Sequence, residues 1–230
     1  MNNRQAVSYS IVRSRRKTVA IYIKKDATVE VRVPMFTSRT AIDEFVAAKE
    51  KWITGHMDKY ERRNAARSAF TLNYGDMLML RGGMYPIRAS DDGRTGFDGD
   101  RFLVPPGLPP ESIKASIISV YKDLAKYVLT EKTAYYAERL GVIPAAVKIS
   151  SAKMRWGSCS GKNSISYSWL LIMADDSAID YVVVHELAHI RESNHSARFW
   201  DVVEGALPDY KRRKKRLHAL QDKLFLEDWR

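Results

Sequence analysis

Cysteine is almost missing from this chain: Cys159 stands alone among 230 residues. A single thiol cannot close an intramolecular disulfide, which suits a reducing cytoplasm. It also excludes a structural zinc site built on cysteines, so histidines and carboxylates must hold any metal. Long apolar runs are missing as well. The longest candidates lie around Trp169–Ala174 and Tyr181–Val184, far short of the roughly 18 residues that a membrane span needs. Met1 to Lys17 is polar and basic, without the apolar stretch of a signal peptide. The expectation is a cytoplasmic protein with no membrane partner. Repeats and low-complexity tracts are absent too.

Negative charge is in deficit: 27 Asp and Glu stand against 38 Lys and Arg, a net +11, and the pI is near 9.7. Such an excess favours anionic partners, whether nucleic acid, nucleotides or acidic proteins. The densest basic run, Lys211 to Arg216, falls among Tyr210, Leu217, Leu220 and Leu224. Those apolar residues recur at helical spacing, so the run reads as the solvated face of an amphipathic helix. No nucleic-acid reader motif accompanies the charge, and nucleic acid stays open only as a partner of the basic surface.

Histidine is scarce, and its distribution is therefore informative. Three of the five histidines lie between residues 185 and 195, in His-Glu-Leu-Ala-His-Ile-Arg-Glu-Ser-Asn-His. On a helix, His185 and His189 leave the same face one turn apart. One tetrahedral zinc can accept both nitrogens, and His195 is placed to return as a third ligand once the chain leaves the helix. Glu186 lies about 100° further round, close enough to reach a water held there without being a ligand itself. The run Ala178 to Val184 is mostly apolar and continues into Leu187, Ala188 and Ile190, so the helix reads as buried. Buried imidazoles need polar partners, and one metal satisfies all three. His56 and His218 have no such constellation and read as surface residues.

The sharpest break in composition is Val104-Pro105-Pro106-Gly107-Leu108-Pro109-Pro110. It divides the chain, by expectation, into a β-rich region 1–104, a linker 105–110 and a catalytic region 111–230. Short β-branched runs at Tyr9–Val12, Thr18–Ile23 and Thr28–Val33 predict strands. Ser38 predicts the cap of a helix running to about Arg63, with Ile42, Phe45, Val46, Trp52 and Ile53 inward. Further strands are predicted around Met77–Leu80, Tyr85–Arg88 and Arg101–Val104. A long helix is predicted from Glu111 to Leu140, stopping at Gly141. Strand-like segments Val147–Ser150 and Asn163–Ile172 follow, then the metal helix (about Ala178 to Arg191) and two closing helices, Ser196–Gly205 and Asp209–Phe225. The fold class is α+β, with a zincin-like domain of helices packed on a small sheet.

A second signature, Met-Arg-Trp-Gly-Ser-Cys-Ser-Gly at 154–161, precedes Ile165-Ser166-Tyr167-Ser168-Trp169-Leu170. Together with Ile179 to His189, His195-Ser196 and Phe199-Trp200, and with Arg15-Arg16-Lys17-Thr18, Val31 to Pro34 and Lys51-Trp52-Ile53 upstream, the chain closely resembles the YgjP-like family of metal-dependent hydrolases. The resemblance runs from about Ser10 to Leu226. That family is bacterial and related to the SprT-like and Wss-type zinc proteases. The likeness implies that His185, His189 and His195 bind zinc and that Glu186 is the general base. The five-residue gap between His189 and His195 is that of metzincins, but Glu192 replaces their glycine and no methionine follows Met173, so a true metzincin is excluded.

The leading expectation is a zinc-dependent peptidase acting on a peptide or protein. A metal-dependent nucleoside triphosphate pyrophosphatase is the alternative, favoured by charge but not by three histidine ligands. A binding module with structural zinc is the third reading, and Glu186 argues against it. Arg155 is the first candidate for an auxiliary electrophile, or else a surface ion-pair partner. Trp156 reads as a packing residue, Cys159 as an inert thiol, and Phe199 and Trp200 as support beneath the metal site. Gly157 and Gly161 either let backbone approach a ligand or simply turn the chain.

Overall fold

A computed structural model describes residues 7–153 and 155–229. The first six residues of the polar N-terminal stretch, and Met154 in the second signature, lie outside it. The chain forms two compact units, one of residues up to Phe70 with Phe225–Asp228, the other of Thr71–Leu224 with the last residues. The division falls after Phe70. The proline-rich stretch is part of the second unit, where the Tyr74 hydroxyl donates to the Pro105 carbonyl at 2.5 Å and accepts from the Leu108 N–H at 3.0 Å.

In the first unit, strands β1 (Tyr9–Ser14), β2 (Ala20–Ile23) and β3 (Val29–Pro34) form a sheet with β3 in the middle. The alternation read in the sequence sends Val29, Val31 and Val33 into a core with Ile42, Val46 and Ile53. Ser38 caps the following helix as expected, its hydroxyl accepting from the Ala41 N–H. The single predicted helix is two, α1 (Arg39–Ala48) and α2 (Glu50–Ala69), broken at Lys49. Trp52 is 47% exposed rather than inward: it precedes the buried Ile53 by one position, about 100° round the helix.

The second unit is α+β. Its first sheet has the order β4 (Met77–Leu80), β5 (Gly83–Ala89), β7 (Phe102–Val104), β6 (Gly96–Phe97). Helix α3 (Pro110–Leu140) begins on a proline, whose missing N–H costs nothing at that position. It ends at Gly141, which takes the left-handed conformation at φ 61° while the Val142 N–H bonds back to Ala137. Ile113, Ile117, Tyr121, Ala125 and Leu129 line its buried stripe.

A second sheet positions the site: β8 (Ala146–Ser150), β10 (Ser164–Ser168) and β9 (Gly157–Cys159), with β10 central and β9 at one edge. The sequence reading put strand over 163–172 and missed β9. The strand stops at Ser168, and Trp169–Met173 winds into a fully buried 3₁₀ turn. A short all-apolar run carries no period that separates a buried strand from a buried turn, and three residues with two small side chains carry hardly any strand signal. Helices α4 (Asp176–Arg191), α5 (Ala197–Ala206) and α6 (Tyr210–Leu224) close the unit.

Helix α4 is fixed at its start by charge and capping. Asp175 caps it, accepting from the Ala178 N–H at 3.1 Å. Arg81 grips Asp176 through two bonds of 2.9 and 2.7 Å. One turn on, Asp180 receives Lys132 of α3 at 2.6 Å and Arg213 of α6 at 3.3 Å. Burial pushes the Asp175 carboxyl up, but the Ser177 hydroxyl, the Ala178 N–H and the Arg216 charge outweigh it and hold the carboxyl below its ordinary value. A carboxyl depressed in this way stabilises the fold above its unfolded pKa and loses that contribution as pH falls through the folded one. Asp175→Ala should therefore cost about 1 kcal/mol at neutral pH, and the gap to wild type should narrow as acid protonates the carboxyl. Thermal unfolding of both proteins at pH 7 and pH 3 checks this; an unchanged gap would show that the cap acts without its charge.

Candidate metal centre

The apolar run that fills α4 buries Val183, Val184, Leu187 and Ala188 to within 0% exposure, which fixes the rotation of the helix and turns His185 and His189 to one side. After Arg191 the chain leaves the helix and returns His195 before Ser196 caps α5, its hydroxyl accepting from the Phe199 N–H. One nitrogen from each of His185, His189 and His195 lies within 4.8 Å of the others. The Nε2 atoms of His185 and His195 face one another at 3.1 Å, near the ~3.3 Å between two nitrogens on a tetrahedral ion with bonds of about 2.05 Å. His189 Nδ1 lies 3.1 Å from the Glu192 carbonyl. A carbonyl only accepts, so Nδ1 carries the hydrogen and Nε2 keeps its lone pair.

Burial, helped by the neighbouring histidines and Lys214, pushes His185 down to about 3. Burial likewise lowers His189, against its bond to Glu192. Both rings are neutral at physiological pH, the form that ligates a metal. His185 Nδ1 is buried with no hydrogen-bond partner. Three converging imidazoles fit one divalent ion of borderline softness and leave a coordination position free.

Phe199 is completely buried, and its ring centre lies 4.9, 4.6 and 4.7 Å from the rings of His185, His189 and His195. Trp200 stacks on His195 and on Tyr210 of α6. The two aromatics support the imidazoles as their sequence position suggested.

Glu186 is 6% exposed. Burial pushes its carboxyl up to about 7, against the Arg155 charge and a hydrogen bond from the Cys159 N–H of β9. The other notable neighbour is Gly157: a Cβ there would stand 2.6 Å from Glu186 Cγ and Oε1. Gly157 thus makes room for the chain's own carboxylate. Gly161 has nothing within 4 Å of such a Cβ and lines the larger cavity. Arg155 is exposed at the rim, where it, Gly157, His185 and Glu186 border two adjoining cavities of about 570 and 260 Å³. Cys159 is half-buried, its thiol pushed up by burial and by the Glu186 charge, an unreactive state for a nucleophile.

The sequence reading missed two residues of the smaller cavity. Trp156, read as packing, lines it, and so does His218, read as isolated surface. The helical spacing of 210–224 already placed Lys214 and His218 one turn apart, but only the position of α6 shows which wall they face.

Among the described residues, no helix is long and apolar enough to cross a membrane. The comparison with curated proteins returns no match. Among solved structures, the metallopeptidase zymogen abylysin of Pyrococcus abyssi is 27% identical, over 42% of this chain and 94% of that one, with a TM-score of 0.37. A model of the YgjP-like metallopeptidase domain matches residues 17–220. That span takes in β2 through most of α6, including the three histidines, Glu186 and the β9 edge, and the chain belongs to the YgjP-like metallopeptidase family.

Proposed function

We propose that this protein is a zinc-dependent peptidase in which His185, His189 and His195 hold the ion and Glu186 is the general base. The observation that carries the reading is the convergence of three imidazoles beside a buried carboxylate. When bound, zinc would supply a Lewis acid and lower the pKa of water towards ~7.

The chain's own groups do the rest. Glu186, pushed up to about 7, can take a proton from the attacking water and return it to the leaving amine near neutral pH. The Cys159 N–H orients that carboxylate from the sheet edge. Arg155, exposed at the rim and close enough for its charge to act on Glu186, offers its guanidinium to the charge that grows on the substrate oxygen. Among the described residues β9 pairs only with β10; beyond the Cys159 N–H, which Glu186 takes, its outer side can receive an extended peptide as a further strand.

The test is metal dependence and bond type together. Purified protein of measured zinc content should cleave an unfolded substrate such as casein, lose that activity to a chelator and regain it with zinc. Release of pyrophosphate from a nucleoside triphosphate without peptide cleavage would overturn the reading.

A further inference from the structure

The smaller cavity beside the candidate metal centre is cationic, and one of its charges, that of Lys214, is uncommitted. Its walls are partly apolar, from Trp156, Tyr181 and Leu217, and its polar groups include Arg155, Lys214 and His218. Glu186, bound to the Cys159 N–H, is the one carboxylate among its lining residues. The basic run on α6 is not uniform in this respect. Arg212 and Arg213 hold Asp209 at 2.8 and 2.6 Å, Arg213 also reaches Asp180, and Arg216 lies 3.6 Å from Asp175. Lys214, between them in sequence, has no carboxylate within 4.0 Å among the described residues. Its ammonium lies 5.7 Å from the Trp200 ring centre, beside the histidines. The cavity and the larger cleft over the histidines share Arg155, Gly157, His185 and Glu186. A chain whose bond is cut at the centre therefore presents a neighbouring group to this cavity.

We propose that the cavity is a specificity subsite that binds a carboxylate of the substrate, either an acidic side chain next to the cleaved bond or the terminus of a chain. Lys214 and its half-enclosed, partly apolar surroundings attract an anion more strongly than the same charge would on open surface. They also reject a lysine in the same place by like-charge repulsion. The proposal rests on the reading of the centre as a peptidase.

The test separates the two claims by measuring binding as well as turnover. Zinc-loaded Glu186→Gln protein, and the metal-free form of the same variant, are titrated calorimetrically with capped alanine hexapeptides carrying one glutamate, glutamine or lysine. A fourth, all-alanine peptide has a free C-terminal carboxylate. We expect a carboxylate-bearing peptide to bind roughly tenfold more tightly than the glutamine peptide. The preference should persist without metal, because Lys214 supplies it. Whether the side chain or the free terminus brings the gain identifies which carboxylate is read. Lys214→Gln should erase the preference and Lys214→Glu should reverse it towards lysine. Equal binding of all four peptides, or a glutamate preference that survives Lys214→Glu, would overturn the subsite. Selective binding without any cleavage by the wild type would leave the subsite standing and remove the peptidase reading; indiscriminate cleavage would do the opposite.

Discussion

Replacing Glu186 by glutamine should lower kcat/KM for peptide cleavage by roughly 10²–10⁴-fold, the usual contribution of a general base, while the protein keeps its metal. Glutamine has the shape of glutamate, so its carbonyl oxygen can still accept the Cys159 N–H and lie against Gly157. What it lacks is an acceptor that can carry a proton away. The three histidines do not depend on Glu186 for their orientation. His189 is set by the Glu192 carbonyl, His195 faces His185, and Phe199 packs against all three. Stability should hold or rise slightly, because a neutral amide replaces a carboxyl that burial already disfavours as an anion. Steady-state kinetics with bound-metal analysis on the same preparation checks both halves. Full activity in a protein that still binds one metal would remove Glu186 from the base role.

How much of this was legible beforehand depends on the kind of signal. Helix α4 announces itself because the spacing of His185 and His189 matches both a helical period and what a metal ion would require. The core of the first unit is equally plain: Val29, Val31 and Val33 alternate, and Ile42, Val46 and Ile53 follow turn by turn. The cap at Ser38 and the stop at Gly141 are short-range chemistry, and local sequence carries it. What failed to show were features set by distant partners. Strand β9 exists because β10 pairs with it, through contacts such as Ser166 with Ser158, and its own three residues have little strand preference. The 3₁₀ turn at Trp169–Met173 is decided by burial on every side. The site residues divide in the same way. Glu186 is readable from the motif, whereas Lys214 and His218 look like any solvated basic face until α6 is seen against α4. Arg213, from the same run, is spent bracing Asp180 and Asp209. A charge run thus mixes paired and unpaired cations that composition cannot separate.

Gly157→Ala should reduce activity nearly as far, by roughly 10²-fold, yet leave the fold almost untouched. The added methyl carbon would stand 2.6 Å from Glu186 Cγ and Oε1 and 2.8 Å from Cδ, well inside van der Waals contact. One of the two partners has to move. The backbone of β9 is held by β10, with the Ser168 N–H on the Trp156 carbonyl at 2.8 Å and Gly157 opposite Tyr167 in the register. The Glu186 side chain is the softer partner and swings away, off the Cys159 N–H that orients it. A displacement of about 1 Å at a reacting group is enough for the expected loss. Stability follows a different balance. Alanine restricts the unfolded chain more than glycine does, a gain of roughly 0.4–1 kcal/mol that offsets the strain of moving a flexible side-chain end. Unfolding midpoints within a few degrees of wild type, alongside the kinetic loss, would place the role of Gly157 in positioning the base. Gly161→Ala supplies the contrast, since its methyl meets nothing within 4 Å. If Gly157→Ala kept wild-type kcat/KM, the carboxylate would not need the place it occupies against β9, and the general-base geometry would have to be assigned to another rotamer.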